Sequence, residues 1–298
     1  MSNALRKQYR TLLEAPEILV MPGVFDGFST AIVEKLGFKA GFVSGAGISE
    51  SALGLADMGV MGLEDNLARA RALADISAIP LQADADTGYG NAVNVYHTVR
   101  AFEKAGLSGV MIEDQVWPKR CGHLAGKNVI PFDEAVAKIK AAADARTDDD
   151  FVIQSRTDTF AVNGLDDVVA RLNAFSEAGA DFLFADALLS EEDIAEVVKN
   201  TTKPLCVNMG FGIRQRSTTP LISAKRLQEI GVGAVIYPRL VTAGAIAGMT
   251  KALEALSEAI AFDDIVERPD LVASFDEILD LTKFEFLSEL EQRYATGK

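Results

Sequence analysis

Eight short apolar runs rich in β-formers punctuate the chain: Ile18-Leu-Val-Met21, Ala40-Gly-Phe-Val-Ser44, Pro80-Leu-Gln-Ala-Asp84, Gly109-Val-Met-Ile-Glu113, Phe151-Val-Ile-Gln-Ser155, Phe182-Leu-Phe-Ala185, Pro204-Leu-Cys-Val-Asn208 and Ala234-Val-Ile-Tyr237. Between them lie segments with helical apolar spacing, among them Val93 to Ala105, Phe132 to Ala145, Leu165 to Ala178 and Leu221 to Ile230. Runs that are continuously apolar suit strands covered on both faces, the situation in a parallel sheet. Eight strand–helix units in 298 residues predict an α/β fold of the (β/α)8 barrel type, which takes about 250 residues. Glycine closes several of the helices, as in Glu103-Lys-Ala-Gly106, Glu177-Ala-Gly179 and Glu229-Ile-Gly231, where a left-handed C-terminal residue is expected. No proline- or serine-rich linker interrupts the series. A single domain is therefore expected, with an N-terminal helix over 1–17, the barrel over 18–260 and a helical extension over 261–298.

The charge balance narrows the partners. With 43 acidic against 29 basic residues, a net charge of -14, a surface for nucleic acid or anionic membrane would have to form against the overall field, and neither is expected. No apolar run approaches the roughly 18 residues needed to span a bilayer, and the N-terminal stretch has no signal-peptide core, which points to the cytoplasm. Two cysteines, Cys121 and Cys206, are too few for a disulfide framework and unlike any zinc spacing. The tail from Val272 to Tyr294 carries Phe275, Ile278, Leu279, Leu281, Phe284, Leu287 and Leu290 at mostly helical spacing, opposite Asp276, Glu277, Asp280 and Glu285. That apolar side needs a cover, either its own barrel or a second subunit.

A barrel of this type keeps its active site at the C-terminal ends of its strands. The residues ending the eight runs are unusually polar: Asp26, Ser44-Gly45, Asp84 and Asp86, Glu113-Asp114, Arg156 with Asp158, Asp186, Asn208 and Arg239. One acid in such a place commonly caps the next helix; several carboxylates around one mouth need another explanation. Asp84 and Asp86, two apart, would share a face of a strand, and Glu113 on the next strand can approach them. Their repulsion calls for a cation, and a set of carboxylates without His or Cys points to Mg²⁺ or Mn²⁺ rather than zinc. Class I aldolase chemistry needs a lysine in the mouth, and no run ends in lysine. A metal-assisted reaction on an anionic substrate fits better, with Arg156 and the backbone N–H groups of Ser44-Gly45-Ala46-Gly47 as carboxylate binders. The same glycines would equally serve a plain tight turn.

Cys121 sits in Trp117-Pro-Lys-Arg-Cys-Gly-His-Leu-Ala-Gly126, a polar, glycine-bearing loop after the fourth run and a candidate lid. A thiol there can donate a proton or, once ionised, attack; Lys119, Arg120 and a protonated His123 would favour ionisation. Cys206 reads as plain core and His97 as a helix residue without a chemical role.

The segments Glu113-Asp-Gln-Val-Trp-Pro-Lys-Arg-Cys-Gly-His123, Asp84-Ala-Asp-Thr-Gly-Tyr-Gly90, Phe42-Val-Ser-Gly45 and Arg156-Thr-Asp158 resemble the isocitrate lyase/phosphoenolpyruvate mutase superfamily. Within it they are similar to the branch holding methylisocitrate lyase, 2,3-dimethylmalate lyase and the petal death protein. The likeness runs from about Leu19 through the C-terminal helices, and the Lys-Arg-Cys-Gly-His loop is its specific signature. It implies a Mg²⁺-dependent barrel in which Asp57, Asp84, Asp86 and Glu113 match metal-site acids acting mostly through water. Ser44, Gly45 and Ala46 match a carboxylate-binding turn, Arg156 the substrate arginine, and Cys121 the thiol that protonates a leaving enolate, with His123 beside it. It also implies a C-terminal helix exchanged between subunits of a homotetramer.

The implied activity is cleavage of a 2-hydroxydicarboxylate, a substituted malate or methylisocitrate-like molecule, to a 2-oxo acid such as pyruvate plus a carboxylate. Departures from the pattern gather at the substrate end, where Asp186, Asn208 and Arg239 are expected to bind. Asp186 stands where many of these lyases have Glu. Met209 to Pro220 is longer and more basic than usual, and Arg239 replaces a Leu-Ser element. Other outcomes are a phosphonomutase of the carboxyphosphonoenolpyruvate type, which Arg214, Arg216 and Arg239 would suit, an oxaloacetate hydrolase, or a barrel kept as a binding protein. The full set of Asp57, Asp84, Asp86, Glu113, Arg156 and Cys121 speaks against the last.

Overall fold

The computed structural model describes residues 2–122, 124–211, 219–265 and 267–296. Helix α1 (Ser2–Glu14) precedes the sheet. Then come β1 (Leu19–Val24), α2 (Gly27–Lys35), β2 (Gly41–Val43), α3 (Gly45–Ile48) running into a π-helical turn (Ser49–Leu53), α4 (Leu63–Ile76), β3 (Leu81–Asp84), α5 (Ala92–Lys104), β4 (Gly109–Glu113), α6 (Phe132–Ala145) and β5 (Val152–Thr157). The second half adds α7 (Phe160–Asn163), α8 (Leu165–Glu177), β6 (Phe182–Ala185), α9 (Glu191–Asn200), β7 (Leu205–Asn208), α10 (Ala224–Ile230), β8 (Ala234–Tyr237), α11 (Leu240–Phe262), α12 (Phe275–Leu281) and α13 (Phe284–Tyr294). Every strand pairs in parallel with the next, and β8 pairs back onto β1, so the sheet closes into the expected eight-stranded barrel.

Closure divides the strand residues between two cores. Inward side chains such as Met21, Phe42, Met111, Phe182, Phe184 and Ile236 fill the barrel itself. Their neighbours Val24, Val43, Val110, Ile153 and Val235 pack outward under the helices. That two-sided burial is why the runs are continuously apolar, and each large side chain so enclosed contributes about 1.5–3 kcal/mol. Helix α1 stoppers the N-terminal end. The Tyr9 hydroxyl donates to Gln82 inside the barrel, and Arg6 donates to the backbone oxygens of Glu103 and Leu107 while pairing with Asp148 at 2.9 Å. The polar strand ends lie at the opposite, C-terminal end. The expected helix stops also appear: Gly106, Gly179 and Gly231 have φ of 94°, 110° and 99°, which glycine adopts without a Cβ penalty.

The C-terminal helices depart from a closed barrel. Of α11's residues only Thr242 is buried, and α12 and α13 bury none. The tail therefore does not use its own barrel as a cover. It touches α2 and α4 through polar contacts, Lys35 to Asp280 at 2.7 Å and Lys283 Nζ to the Ile76 oxygen at 2.5 Å, and leaves Phe275 and Phe284 exposed. A groove of about 450 Å³ lined by Val20, Phe38, Phe211, Leu221, Tyr237 and Leu240 lies open beside β1 and β8. No helix among the described residues is long and apolar enough to cross a membrane.

Candidate active site

The strand ends supply the site one side chain at a time. After β2, Ser44 caps α3 by accepting from the Gly47 N–H at 3.0 Å, and Gly45 brings bare backbone against Asp84. A Cβ on Gly45 would stand 2.9 Å from Asp84 Oδ2, so this glycine serves a close approach. Asp84 ends β3, and its Oδ1 accepts from the Asp86 N–H at 3.1 Å. Asp86 has left the strand with φ of 46°, a left-handed conformation that the bond to Asp84 holds in place. The two acids converge by this turn and not, as the strand period suggested, by sharing a face. Asn66 supports them from α4, donating to the Asp84 backbone oxygen at 2.7 Å and to Tyr89 Oη at 2.8 Å.

Glu113 ends β4 directly opposite Arg156 on β5 in the sheet register. The Arg156 guanidinium forks onto Asp158 at 2.8 and 2.9 Å, reaches Asp186 Oδ2 at 2.9 Å and lies 3.3 Å from Glu113 Oε2. It also lies 5.5 Å above the Phe184 ring, a cation–π contact. Asp26, by contrast, is an ordinary helix cap: it and Ser29 exchange hydrogen bonds at the start of α2.

Asp57 arrives on the loop after the π-helical turn and meets a residue that strand-end reasoning passed over. Lys119 is buried, with its Nζ 2.5 Å from Asp57 Oδ1 and 2.8 Å from Asp86 Oδ1. It therefore sits among the acids rather than beside the thiol. Burial alone would lower its pKa, but Asp86, Glu113, Asp57 and Asp84 outweigh that and hold it well above the ordinary lysine value. The mouth thus does hold a lysine, which the strand ends did not announce, and it is ion-paired to Asp57 and Asp86.

The cation beside Cys121 is Arg239, which directs Nη1 at the sulfur over 2.9 Å and pairs with Glu50 Oε1 at 2.6 Å. The Cys121 N–H donates to the Asp57 oxygen at 3.1 Å. Arg120 turns away to the Ala125 oxygen, and His123 lies outside the described residues, as do Arg214 and Arg216. Glu50 had no motif to announce it, because its contact with Arg239 spans 189 positions.

Ser44, Ala46, Asp57, Asp84, Cys121, Gly122, Arg156, Asp186, Asn208 and Arg239 line one cavity above the floor made by Phe42, Met111, Phe184 and Ile236. The space between them is about 30 Å³. That accommodates about one or two water molecules. Gly45, Asp86 and Glu113 stand immediately beside this lining.

The acids fit a hard cation. Burial pushes Asp84, Asp86 and Glu113 above the ordinary carboxylate range, Asp86 to about 6, against the partial relief of Lys119 and Arg156. Neither buried carboxylate oxygen of Glu113 has a hydrogen-bond partner, since the Arg156 approach at 3.3 Å lacks the geometry of one. Buried acceptors of this kind are costly unless an ion or its waters meet them. Among the described residues no three His, Cys, Asp or Glu side chains form a ready set of direct ligands.

Known proteins share both sequence and architecture with this chain. The family model described as phosphoenolpyruvate phosphomutase matches residues 9–257. The 2,3-dimethylmalate lyase of Eubacterium barkeri is 39% identical over 290 residues, covering 97% of this chain and 98% of that one. A structure of oxaloacetate acetylhydrolase in complex with the inhibitor 3,3-difluorooxalacetate superposes with a TM-score of 0.89 at 31% identity, covering 97% of each chain. Phosphonopyruvate hydrolase, solved with oxalate and Mg²⁺, superposes with a TM-score of 0.84 at 28% identity, covering 97% of this chain and 98% of that one. The arginine, the acid cluster and the cysteine loop thus sit on a scaffold shared by lyases, mutases and hydrolases, and the chain belongs to the phosphoenolpyruvate mutase/isocitrate lyase superfamily.

Proposed function

We propose that this protein is a Mg²⁺-dependent lyase that splits the C2–C3 bond of a substituted malate or related 2-hydroxydicarboxylate, releasing a 2-oxo acid such as pyruvate. The observation that carries this reading is the position of Cys121, whose sulfur faces the same small cavity as Arg156, Ser44, Asp186 and Asn208. Arg156 and the Ser44-Gly45-Ala46 turn hold the carboxylate of the 2-oxo acid fragment. Asp186 and Asn208 orient the other end of the substrate. The C2 hydroxyl gives its proton to a carboxylate at the mouth as its oxygen becomes the carbonyl of the 2-oxo acid, the C2–C3 electron pair leaves with the second fragment as an aci-carboxylate, and Cys121 delivers a proton to that carbon. The thiolate that remains is compensated by Arg239, which Glu50 keeps in place. His123 belongs to the same loop as a second proton-handling group. Asp57, Asp84, Asp86 and Glu113 are the residues that hold Mg²⁺, directly or through water, and the ion when bound stabilises negative charge developing on the substrate oxygens.

The same reading assigns the exposed apolar side of α11 and the open groove beside β1 and β8 to subunit contacts of a helix-exchanging homotetramer. The test of the chemistry is a substrate panel of 2,3-dimethylmalate, methylisocitrate, oxaloacetate and phosphonopyruvate, assayed for 2-oxo acid or phosphorus products with and without EDTA. Turnover of a substituted malate that stops on chelation is the expected result. Turnover surviving complete metal removal refutes the metal role, and exclusive turnover of phosphonopyruvate or oxaloacetate moves the assignment to a phosphonomutase or a hydrolase.

The carboxylate cluster gives a second check through pH. Burial is the main cause that pushes Asp86 and Asp114 up to about 6. Their folded pKa exceeds the unfolded one, so the native state binds more protons between about pH 4 and 6 and loses stability as pH rises through that window. Without divalent cation, acidification from pH 7 to 5 is expected to raise the unfolding free energy by ~1–3 kcal/mol, at about 1.4 kcal/mol per pKa unit. Saturating Mg²⁺ stabilises the ionised cluster and should flatten the Asp86 share of that slope. Denaturant titrations at each pH, with and without Mg²⁺, measure it; superimposable curves would contradict the cation assignment.

A further inference from the structure

Lys127 has a place in the site that its sequence position does not announce. It follows Cys121 by six residues in the segment between β4 and α6, yet only 9% of its surface is exposed. Its Nζ donates to the Gly122 oxygen at 2.7 Å and lies 3.1 Å from Asp158 Oδ1. Asp158 is fully buried and is the same carboxylate that Arg156 grips with both arms of its guanidinium. One ammonium therefore ties the peptide next to the cysteine to the acid that orients the substrate arginine. Burying a lysine is costly, and an apolar side chain would fill the same space at a lower cost. What the ammonium adds is a link between two parts of the site that share no strand.

The second half of the argument is the fit at Gly122. A Cβ there would stand 1.4 Å from Asp186 Oδ2 and 2.9 Å from Arg156 Nη2, so the peptide rests directly on the Arg156–Asp186 ion pair. Besides the turn bond from the Leu124 N–H to the Cys121 oxygen, the described residues hold the stretch from outside at three points: the Cys121 N–H on the Asp57 oxygen, the Gly122 backbone on Asp186, and the Gly122 oxygen on Lys127. Arg239 reaches the thiol itself, but of these contacts to the peptide backbone only the one from Lys127 comes from a long, rotatable side chain, so it can be removed without moving a strand end or a metal-site acid.

We propose that Lys127 is a positioning residue: it latches the Cys121–Gly122 peptide onto Asp158, so that the thiol stands over the position that Arg156 gives the substrate. This rests on Cys121 being the proton donor, and the experiment reads the peptide's position separately from turnover. The probe is alkylation of Cys121 by iodoacetamide in the ligand-free full-length protein, located by mass spectrometry; Cys206, fully buried in the barrel, is the unreactive internal control. Lys127→Met should speed alkylation at least about 10-fold, Lys127→Arg less than about 3-fold, and oxalate affinity in excess Mg²⁺ should stay within about 3-fold of the parent, because Arg156 keeps its own partners.

With an active substrate, kcat should fall in Lys127→Met with little change in KM and recover in Lys127→Arg. Alkylation at the parental rate in Lys127→Met overturns the latch. So does a loss of oxalate affinity that parallels faster alkylation, since Lys127 would then act through the charge of Asp158 and Arg156. Should Lys127→Met not fold, Lys127→Gln keeps a donor for the Gly122 oxygen without the charge, and parental alkylation there together with weakened oxalate binding equally overturns it. A protein inactive on the whole substrate panel would sink the lyase reading while leaving the alkylation comparison valid.

Discussion

Cys121→Ser is expected to lower kcat on the true substrate at least about 100-fold, within the 10²–10⁴ that a positioned general acid typically contributes. The substitution keeps the size of the side chain and its place beside Arg239 and the Asp57 backbone, so binding should survive. What it removes is an easily surrendered proton, and the hydroxyl that replaces it would leave an alkoxide that Arg239 compensates poorly. Affinity for Mg²⁺ by calorimetry should stay within about 3-fold, because no metal-site carboxylate is touched. The expected signature is a fall in kcat with KM nearly constant. An unaffected kcat would take Cys121 out of the mechanism.

Arg156→Gln should have the largest effect on the molecule as a whole. Arg156 hydrogen-bonds Asp158 and Asp186 and lies 3.3 Å from Glu113, and those carboxylates are at most 2% exposed. Removing one partner of a buried ion pair typically costs about 3–5 kcal/mol, since the stranded charge cannot reach water. Asp158 is affected most directly: burial would raise its pKa, but Arg156 and Lys127 hold it well below the ordinary carboxylate range, and most of that support disappears. Denaturant unfolding should therefore show a loss of that size, accompanied by loss of oxalate binding in excess Mg²⁺. Arg156→Lys separates the two roles. It restores a charge but cannot fork onto Asp158 while reaching Asp186, so stability should recover in part and binding much less. A Gln variant within about 1 kcal/mol of the parent that still binds oxalate would show that the arginine is dispensable.

Much of this arrangement is legible without coordinates, and the limits follow from the range of each interaction. Strand period and helix period are local, and the eight apolar runs come out as eight strands because each is covered on both faces. The acids at the strand ends are also local facts, since a barrel sends every strand end to one mouth. Asp26 shows the weakness of that rule: it ends a run like the others and turns out to cap α2. Asp84 and Asp86 show another, because what brings them together is a left-handed turn at Asp86 and not the strand period. The C-terminal tail, whose helices were readable as amphipathic, gave no sign of whether its own barrel would cover it.

The residues that reasoning from sequence placed wrongly or passed over are the long cations. Lys119 and Arg120 are adjacent to the thiol in the chain, yet Lys119 is drawn into the acid cluster and Arg120 turns to the Ala125 oxygen. The guanidinium that reaches Cys121 comes from 118 positions away, steadied by Glu50 from 189 positions away, and Lys127 reaches Asp158 from across a strand. A side chain with several rotatable bonds can end several ångströms from its own backbone, and where it ends depends on which buried carboxylate most needs its charge. By itself the sequence determined the barrel, the mouth and the chemistry of the donors, since these follow from periodicity and residue type. Only the tertiary structure decided which cation meets which anion, because that choice is made by burial and by distances between strands that no spacing along the chain records.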